Sequence, residues 1–341
     1  TWDNYQQMLA ASWELNGVYQ LVSALKQQTF SFDISNCADS CDDAFNTDFK
    51  NIIQSLRSTV QNYDRQKIDI FSTDLYEVEK LLVLLADFYR QSINYPMNVT
   101  TTPAIEFLQS YFADHLVYHT RDFNMLQTDL GNFSRTDFSH VTPSSKALDI
   151  KSKVSFRSTG VYALPGKTMT VSRTDNSDVE VSVFINTQRS ASTHEFDGNG
   201  YNRPKYLQSV AVPIAAGETI KLNSPYGGPV QLKFSVNDKA VAVTFDNIGQ
   251  HPHWTSAADD ESFAQKMAAE DFDWAEIVTP NFEIHSQLAK MKTSISNEHF
   301  PNAAAIAAGT ELYIQNYPHV LAGFQGPGID VVAEIHDFAR D

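Results

Sequence analysis

The chain has 341 residues, a hydrophobic content of 42% and a formal net charge of −16. At roughly 100–200 residues per domain this predicts two or three domains, and the apolar content is that of a chain able to bury ordinary cores. The acidity weighs against nucleic acid and anionic membrane as partners, because both need a basic face; the longest apolar run, LLVLLADF at 81–88, is broken by Asp87 and falls short of the roughly 18 residues of a bilayer span.

Charge is uneven along the chain. Residues 1–150 carry 10 Lys/Arg against 19 Asp/Glu, 151–254 carry 11 against 8, and 255–341 carry 4 against 14. The sign changes predict three units. The chain opens on Thr1 without a leader-like segment, as expected of a processed or cut-down chain. Its two cysteines, Cys37 and Cys41, stand in NCADSCDD. That spacing is not a usual zinc spacing, and a local disulfide closing a small loop is the preferred reading, with two reduced thiols as the alternative. A disulfide fits an exported protein.

Residues 1–145 read as a helical bundle with short polar loops. One helix is expected in DFKNIIQSLRSTVQNY, where Phe49, Ile52, Ile53, Leu56 and Val60 are apolar. In DLYEVEKLLVLLADFYRQ, Leu75, Val78, Leu82, Leu85 and Tyr89 recur at spacings of three and four, with Asp74 as the expected N-cap and Glu77 completing a capping box. Thr102-Pro103 opens a third helix through IEFLQSYFADHLVYH, with a stripe from Ile105 to His119.

SHVTPSSKALDIKSK (139–153) is polar, contains Pro143 and reads as a linker. Beyond it the period becomes two. Val179, Val181, Val183 and Ile185 alternate with Glu180, Ser182 and Phe184. Val210–Ile214, Val230–Val236 and Val241–Phe245 repeat the pattern. Half-buried strands follow, and with turns at LPGK, AAGE and VNDKA (236–240, read as a hairpin) they predict an antiparallel β-sandwich over 150–254. From 255 the chain reads as helical in DDESFAQKMAAEDFDW, NFEIHSQLAKMKTSI and AAAIAAGTELYIQNY, then as a Gly-rich loop and a strand.

Few motifs carry chemistry. HEFDGNG at 194–200 begins like the H-E-x-x-H zinc helix, but its fifth position is Gly198 and its glycines make it a loop. HPHW at 251–254 places His251 and His253 two apart beside Pro252, which marks a domain junction more readily than a metal site; a metal enzyme using His251, His253 or His336 is the minor reading. GFQGPG lacks the spacing of a phosphate loop, and there is no G-x-S-x-G elbow. NSPYGGPVQLKF at 223–234 is the most informative stretch: Tyr226-Gly227-Gly228-Pro229 makes a tight turn into an alternating strand, where Gly serves positive φ or a close backbone approach.

That stretch, together with STGVYALPGKTMTVSRT, VSVFINTQRSASTHEF, YNRPKYLQS, HPHW, DWAEIVTPNFEIHS and AGFQGPGIDVVAEIHDF, resembles the enhancin-like zinc metallopeptidases over roughly 150–341. The closest likeness is to the secreted mucin-degrading proteins of the SslE/AcfD (accessory colonization factor) type. The resemblance implies a metallopeptidase with two histidines and a downstream glutamate on zinc, a glutamate base, and mucin-type glycoproteins as substrate. No H-E-x-x-H occurs in 1–341, so no catalytic and no zinc-ligating residue is assigned. Zinc is expected in a longer parent protein, with the motif just past Asp341.

The expected architecture is therefore multidomain α and β: a helical domain (1–145), a β-sandwich domain (150–254), and a truncated α/β start of a peptidase domain (255–341). The expected function is that of a non-catalytic part of a metallopeptidase, secreted or at the bacterial cell surface, including as an outer-membrane lipoprotein. Tyr201, Arg203, Tyr206 and Tyr226 are the expected glycan contacts, since aromatic rings stack on sugar faces, with ordinary packing of the sandwich as the competing role. The alternative is a self-contained glycan-binding or adhesion module.

Overall fold

A computed structural model describes residues 47–95, 97, 101–122, 137–187, 203–296, 298–324 and 337–340. Cys37, Cys41, the HEFDGNG loop, Tyr201 and His336 lie outside these residues. Helices come first, then two antiparallel sheets, then a mixed α/β unit.

Three helices are described in the first unit: α1 (Thr47–Gln66), α2 (Glu77–Arg90) and α3 (Ala104–His115). Their apolar stripes meet in one core, in which Ile53, Leu82, Leu108 and Phe112 are fully buried. The expected caps are shifted. Tyr76 is the N-cap of α2, in the left-handed region at φ 63°, so the capping box from Asp74 does not form and Leu75 is exposed. Pro103, not Thr102, is the N-cap of α3. The third helix stops at His115, and Val117–Arg121 continues as a buried extended segment.

The stretch expected to be a linker instead holds β1 (Ser144–Lys151), whose inward side chains are only half-buried, so its sequence looks polar. Then follow β2 (Ser155–Ala163), β3 (Met169–Arg173), β4 (Val181–Ile185), β5 (Val212–Ile214), β6 (Thr219–Leu222), β7 (Gly228–Phe234) and β8 (Ala240–Ile248). They form two four-stranded sheets, ordered β1-β8-β3-β6 and β2-β7-β4-β5. All described pairings between named strands of these sheets are antiparallel. One apolar core joins the sheets; Val171, Val183, Val230, Leu232 and Phe245 are fully buried in it. The alternation read from sequence is the side-chain period of strands with one face in this core. VNDKA is not a hairpin: β7 and β8 lie in different sheets, so this turn crosses the sandwich. The short turns at LPGK and AAGE cross it in the same way.

The last unit holds β9 (His253–Trp254), α4 (Asp260–Ala269), β10 (Trp274–Val278), β11 (Phe282–Gln287), α5 (Leu288–Ile295), α6 (Ala303–Gly309), a π-helix (Thr310–Asn316), α7 (Tyr317–Leu321) and β12 (Asp337–Arg340). Its sheet runs β12-β11-β10-β9, with β10 and β11 antiparallel and both outer strands parallel to their neighbours. The helix expected through NFEIHSQLAKMKTSI is half strand. FEIHSQ forms β11, and WAEIV before it forms β10, buried along its whole length and so without alternation to read.

Candidate functional site

Among the described candidates, Tyr206 and Tyr226 fall at the seam between the helices and the sandwich rather than on an open face. Tyr226 sits in the turn before β7 and is 3% exposed. Its hydroxyl donates to Asp114 Oδ1 at 2.8 Å and accepts from Arg90 Nε at 3.2 Å. Arg90 also donates to Asp87 Oδ1 at 2.7 Å and to the Ala113 carbonyl at 2.5 Å, and Arg121 Nη1 donates to Asp87 Oδ2 at 2.8 Å. One sandwich turn is thereby plugged into a charged network built by α2, α3 and the segment after α3. Burial, and next the Asp114 charge, raise the Tyr226 phenol well above its ordinary range, so it stays a donor.

The two glycines after Tyr226 make the plug possible. Gly227 and Gly228 have φ of 63° and 132°. A Cβ on Gly227 would lie 2.3 Å from the Ala163 carbonyl oxygen, and one on Gly228 would lie 2.5 Å from the Asn186 side chain, which donates to the Gly227 carbonyl. Both reasons for glycine therefore act at once.

Tyr206 is half-buried at the same seam. The Arg57 guanidinium of α1 lies 3.2 Å from its ring centroid, and its hydroxyl is 3.3 Å from His115 Nε2. The backbone N–H of Lys205 donates to Asp114 Oδ2 at 3.0 Å. Arg203 is buried and donates to the Pro204 carbonyl. A polar cleft of about 180 Å³, lined by Arg57, Gln61, Tyr206, Gln208, Ser209 and Val210, opens beside them. Three of the four residues expected to meet sugar are thus gathered in one place, with Tyr226 enclosed and one face of Tyr206 covered by Arg57.

Sequence reading missed a second seam, between the sandwich and the last unit. Glu276 of β10 is fully buried. It receives His251 Nε2 at 2.8 Å, His285 Nδ1 at 2.6 Å, Gln231 Nε2 at 2.7 Å and the Ser158 hydroxyl. Glu283 of β11 lies 3.2 Å from His285 Nε2 and 3.1 Å from Arg157 Nε. His285 Nδ1 is hydrogen-bonded to Glu276 and its Nε2 lies within ion-pair distance of Glu283, so two carboxylates favour the charged form of the ring. Burial opposes that charge, but Glu276 and then Glu283 outweigh it and lift His285 to about 9. Burial would raise Glu276; the charges of His251 and His285 outweigh it and hold the carboxyl well below its usual range. His253 is the opposite case, since burial, reinforced by Lys146 and against the pull of Glu276, pushes it down to about 3. A clue was present: an acidic residue in each of two β-strands, with histidines at 251 and 285, but nothing in spacing alone brings them together.

His251 Nε2 and His285 Nδ1 each spend a ring nitrogen on a hydrogen bond to Glu276, so these nitrogens are engaged with a carboxylate and not offered together to a metal. Among the described residues no group of three or more His, Cys, Asp or Glu side chains could hold one.

Comparison with known proteins places this geometry. Residues 19–122 match the model of the immunomodulating metalloprotease helical domain, and residues 141–246 match the N-terminal domain of M60-like peptidases. The immunomodulating metalloprotease of Pseudomonas aeruginosa is 29% identical over 92% of this chain and 36% of its own length. The solved IMPa metallopeptidase from that organism superposes with a TM-score of 0.80 at 25% identity, over 91% of this chain and 37% of that one. The chain shares its fold with that metallopeptidase. A second solved form, in complex with T-antigen, gives 0.79 at 25% identity over 92% of this chain and 38% of that one. The chain thus spans little more than a third of the relatives it matches. These matches correct the likeness expected from the sequence: the resemblance to zinc metallopeptidases runs to the immunomodulating metalloprotease and not to the SslE/AcfD type.

Proposed function

We propose that these 341 residues are a non-catalytic supporting part of a secreted zinc metallopeptidase that acts on mucin-type O-glycoproteins. In this reading 1–145 is a helical domain, 150–254 the sandwich domain, and 255–341 the first part of the peptidase domain, held by the others in a fixed pose. The zinc ligands and the base belong to polypeptide outside these residues. The substrate class follows the relatives, one solved with T-antigen and another with an O-glycopeptide. The location follows the same likeness: secreted or at the bacterial cell surface, with a lipid anchor as one form. Among the described residues no helix is long and apolar enough to cross a membrane.

The observation that carries the supporting role is the pair of buried charged seams. A seam that moved would have to expose and reform its network, at several kcal/mol for each uncompensated buried charge. Such seams therefore hold three units as one support. Tyr206 and Tyr226 brace the first seam, which leaves Tyr201, Arg203 and the polar rim of the cleft for any sugar contact.

Isothermal titration of the 341-residue chain with the T-antigen disaccharide tests this reading. It expects a Kd weaker than about 1 mM, near −4 kcal/mol. Binding in the micromolar range, lost on Tyr206→Ala, would favour the self-contained glycan-binding module instead.

A further inference from the structure

The π-helix is inside out. Thr310 and Gln315 point inward, and Gln315 Nε2 donates to the Asn281 carbonyl at 3.0 Å next to β11. Tyr313 and Ile314 point to solvent, 61% and 60% exposed. The apolar surface continues through Tyr317 and Val320 to Leu321, 88% exposed, and Phe324. A surface helix ordinarily turns its apolar stripe to the core and its amides to water. Here a Gln and a Thr are inside while a run of large apolar side chains faces out. Contiguous patches of this kind mark a surface built for contact, and a π-helical turn is a rare geometry that is frequent at functional sites.

Charge narrows the occupant. Residues 255–341 carry 4 Lys/Arg against 14 Asp/Glu. A second copy meeting this face would bring two strongly acidic units together, and an anionic lipid surface would be repelled in the same way. The metallopeptidase relatives offer another occupant, because the matched region is only 36% of the curated relative's length and most of its polypeptide lies outside the match.

We propose that the face formed by Tyr313, Ile314, Tyr317, Val320, Leu321 and Phe324 is the seat on which the remaining polypeptide of the longer metallopeptidase packs. This rests on the reading that the chain is part of such a protein. The contact is apolar and intramolecular. It joins the C-terminal unit to the rest of the enzyme where the buried seams do not reach.

Hydrogen exchange of residues 310–321 tests it, in the 341-residue chain and in the whole gene product. The amides should exchange at least tenfold more slowly in the whole product. A double substitution, Ile314→Ser with Leu321→Ser, should restore fast exchange there and abolish binding of an apolar fluorescent dye to the 341-residue chain. Both positions are exposed, so the substitutions spare the core. Equal exchange in the two proteins would overturn the proposal. So would sedimentation showing that the 341-residue chain dimerises and that the double substitution disperses the dimer. Cleavage of an O-glycopeptide by the same whole product reports separately on the functional reading: cleavage with unprotected amides sinks only the docking face, and protected amides without cleavage sink only the activity.

Discussion

The Tyr226 hydroxyl donates to Asp114 Oδ1 at 2.8 Å, across 112 residues of chain, and ties the sandwich to helix α3. Arg90 donates to the same hydroxyl, so one phenol joins a carboxylate and a guanidinium that are otherwise held on the helices.

Tyr226→Phe should therefore destabilise without changing shape. It strips a buried carboxylate and a buried guanidinium of one partner each, for a cost of about 1–3 kcal/mol. Urea unfolding should show a lower midpoint at unchanged slope. Tyr206→Ala removes the surface beneath Arg57 and should cost less, since its ring is half-buried.

The second seam should set a stability optimum near neutral pH. His285 is raised to about 9 and thus contributes stability that is full below its unfolded value near 6.5 and is lost as pH rises through 9. His253, pushed down to about 3, works the other way: the unfolded chain takes up a proton below 6.5 that the folded one refuses, so stability falls as pH drops. Unfolding midpoints from pH 5 to 10 should peak near 6–7. His285→Gln should flatten the alkaline limb and His253→Asn the acid limb. A wild-type curve level from pH 6.5 to 9.5 would contradict the charge placed on His285.

Gly228→Ala and Gly217→Ala separate crowding from backbone strain. Both glycines have positive φ, but a Cβ on Gly228 meets Asn186 at 2.5 Å and one on Gly217 meets nothing within 4 Å. Gly217→Ala should cost only the left-handed penalty of about 1–2 kcal/mol. Gly228→Ala should cost clearly more, measured by the same urea titration.

Intact mass with and without reductant checks the cysteine reading. A Cys37–Cys41 bridge predicts a gain of about 2 Da on reduction, as an exported protein would allow. Equal masses would remove the export argument drawn from these residues.

How much of this was legible in the sequence depended on whether an element has one buried face. Val181, Val183 and Ile185 recur at every second position because that face of β4 lies in the sandwich core, and the strand was readable although Phe184 on its other face is also buried. Trp274–Val278 is buried on both faces and shows no period, so β10 was not. SSKALDIK looked like a linker because the inward side chains of β1 are only half covered. The YGG turn was singled out correctly as demanding glycine. What Tyr226 does there was not legible, because Asp114 and Arg90 are more than a hundred residues away. The Glu276 network was hidden for the same reason: Ser158, Gln231, His251 and His285 come from four separate segments, and only the packing of two sheets brings them to one carboxylate.

In the proposed reading this chain supports a zinc metallopeptidase, and catalysis belongs to polypeptide outside it. The most direct measurement is cleavage of a T-antigen-bearing O-glycopeptide, followed by mass spectrometry, by the whole gene product and by the 341-residue chain side by side, each with and without a zinc chelator. A supporting role predicts cleavage by the whole product, abolished by chelator and restored by zinc, and none by the 341-residue chain. Cleavage by the 341-residue chain, or chelator-insensitive cleavage or no cleavage by the zinc-loaded whole product, would contradict it.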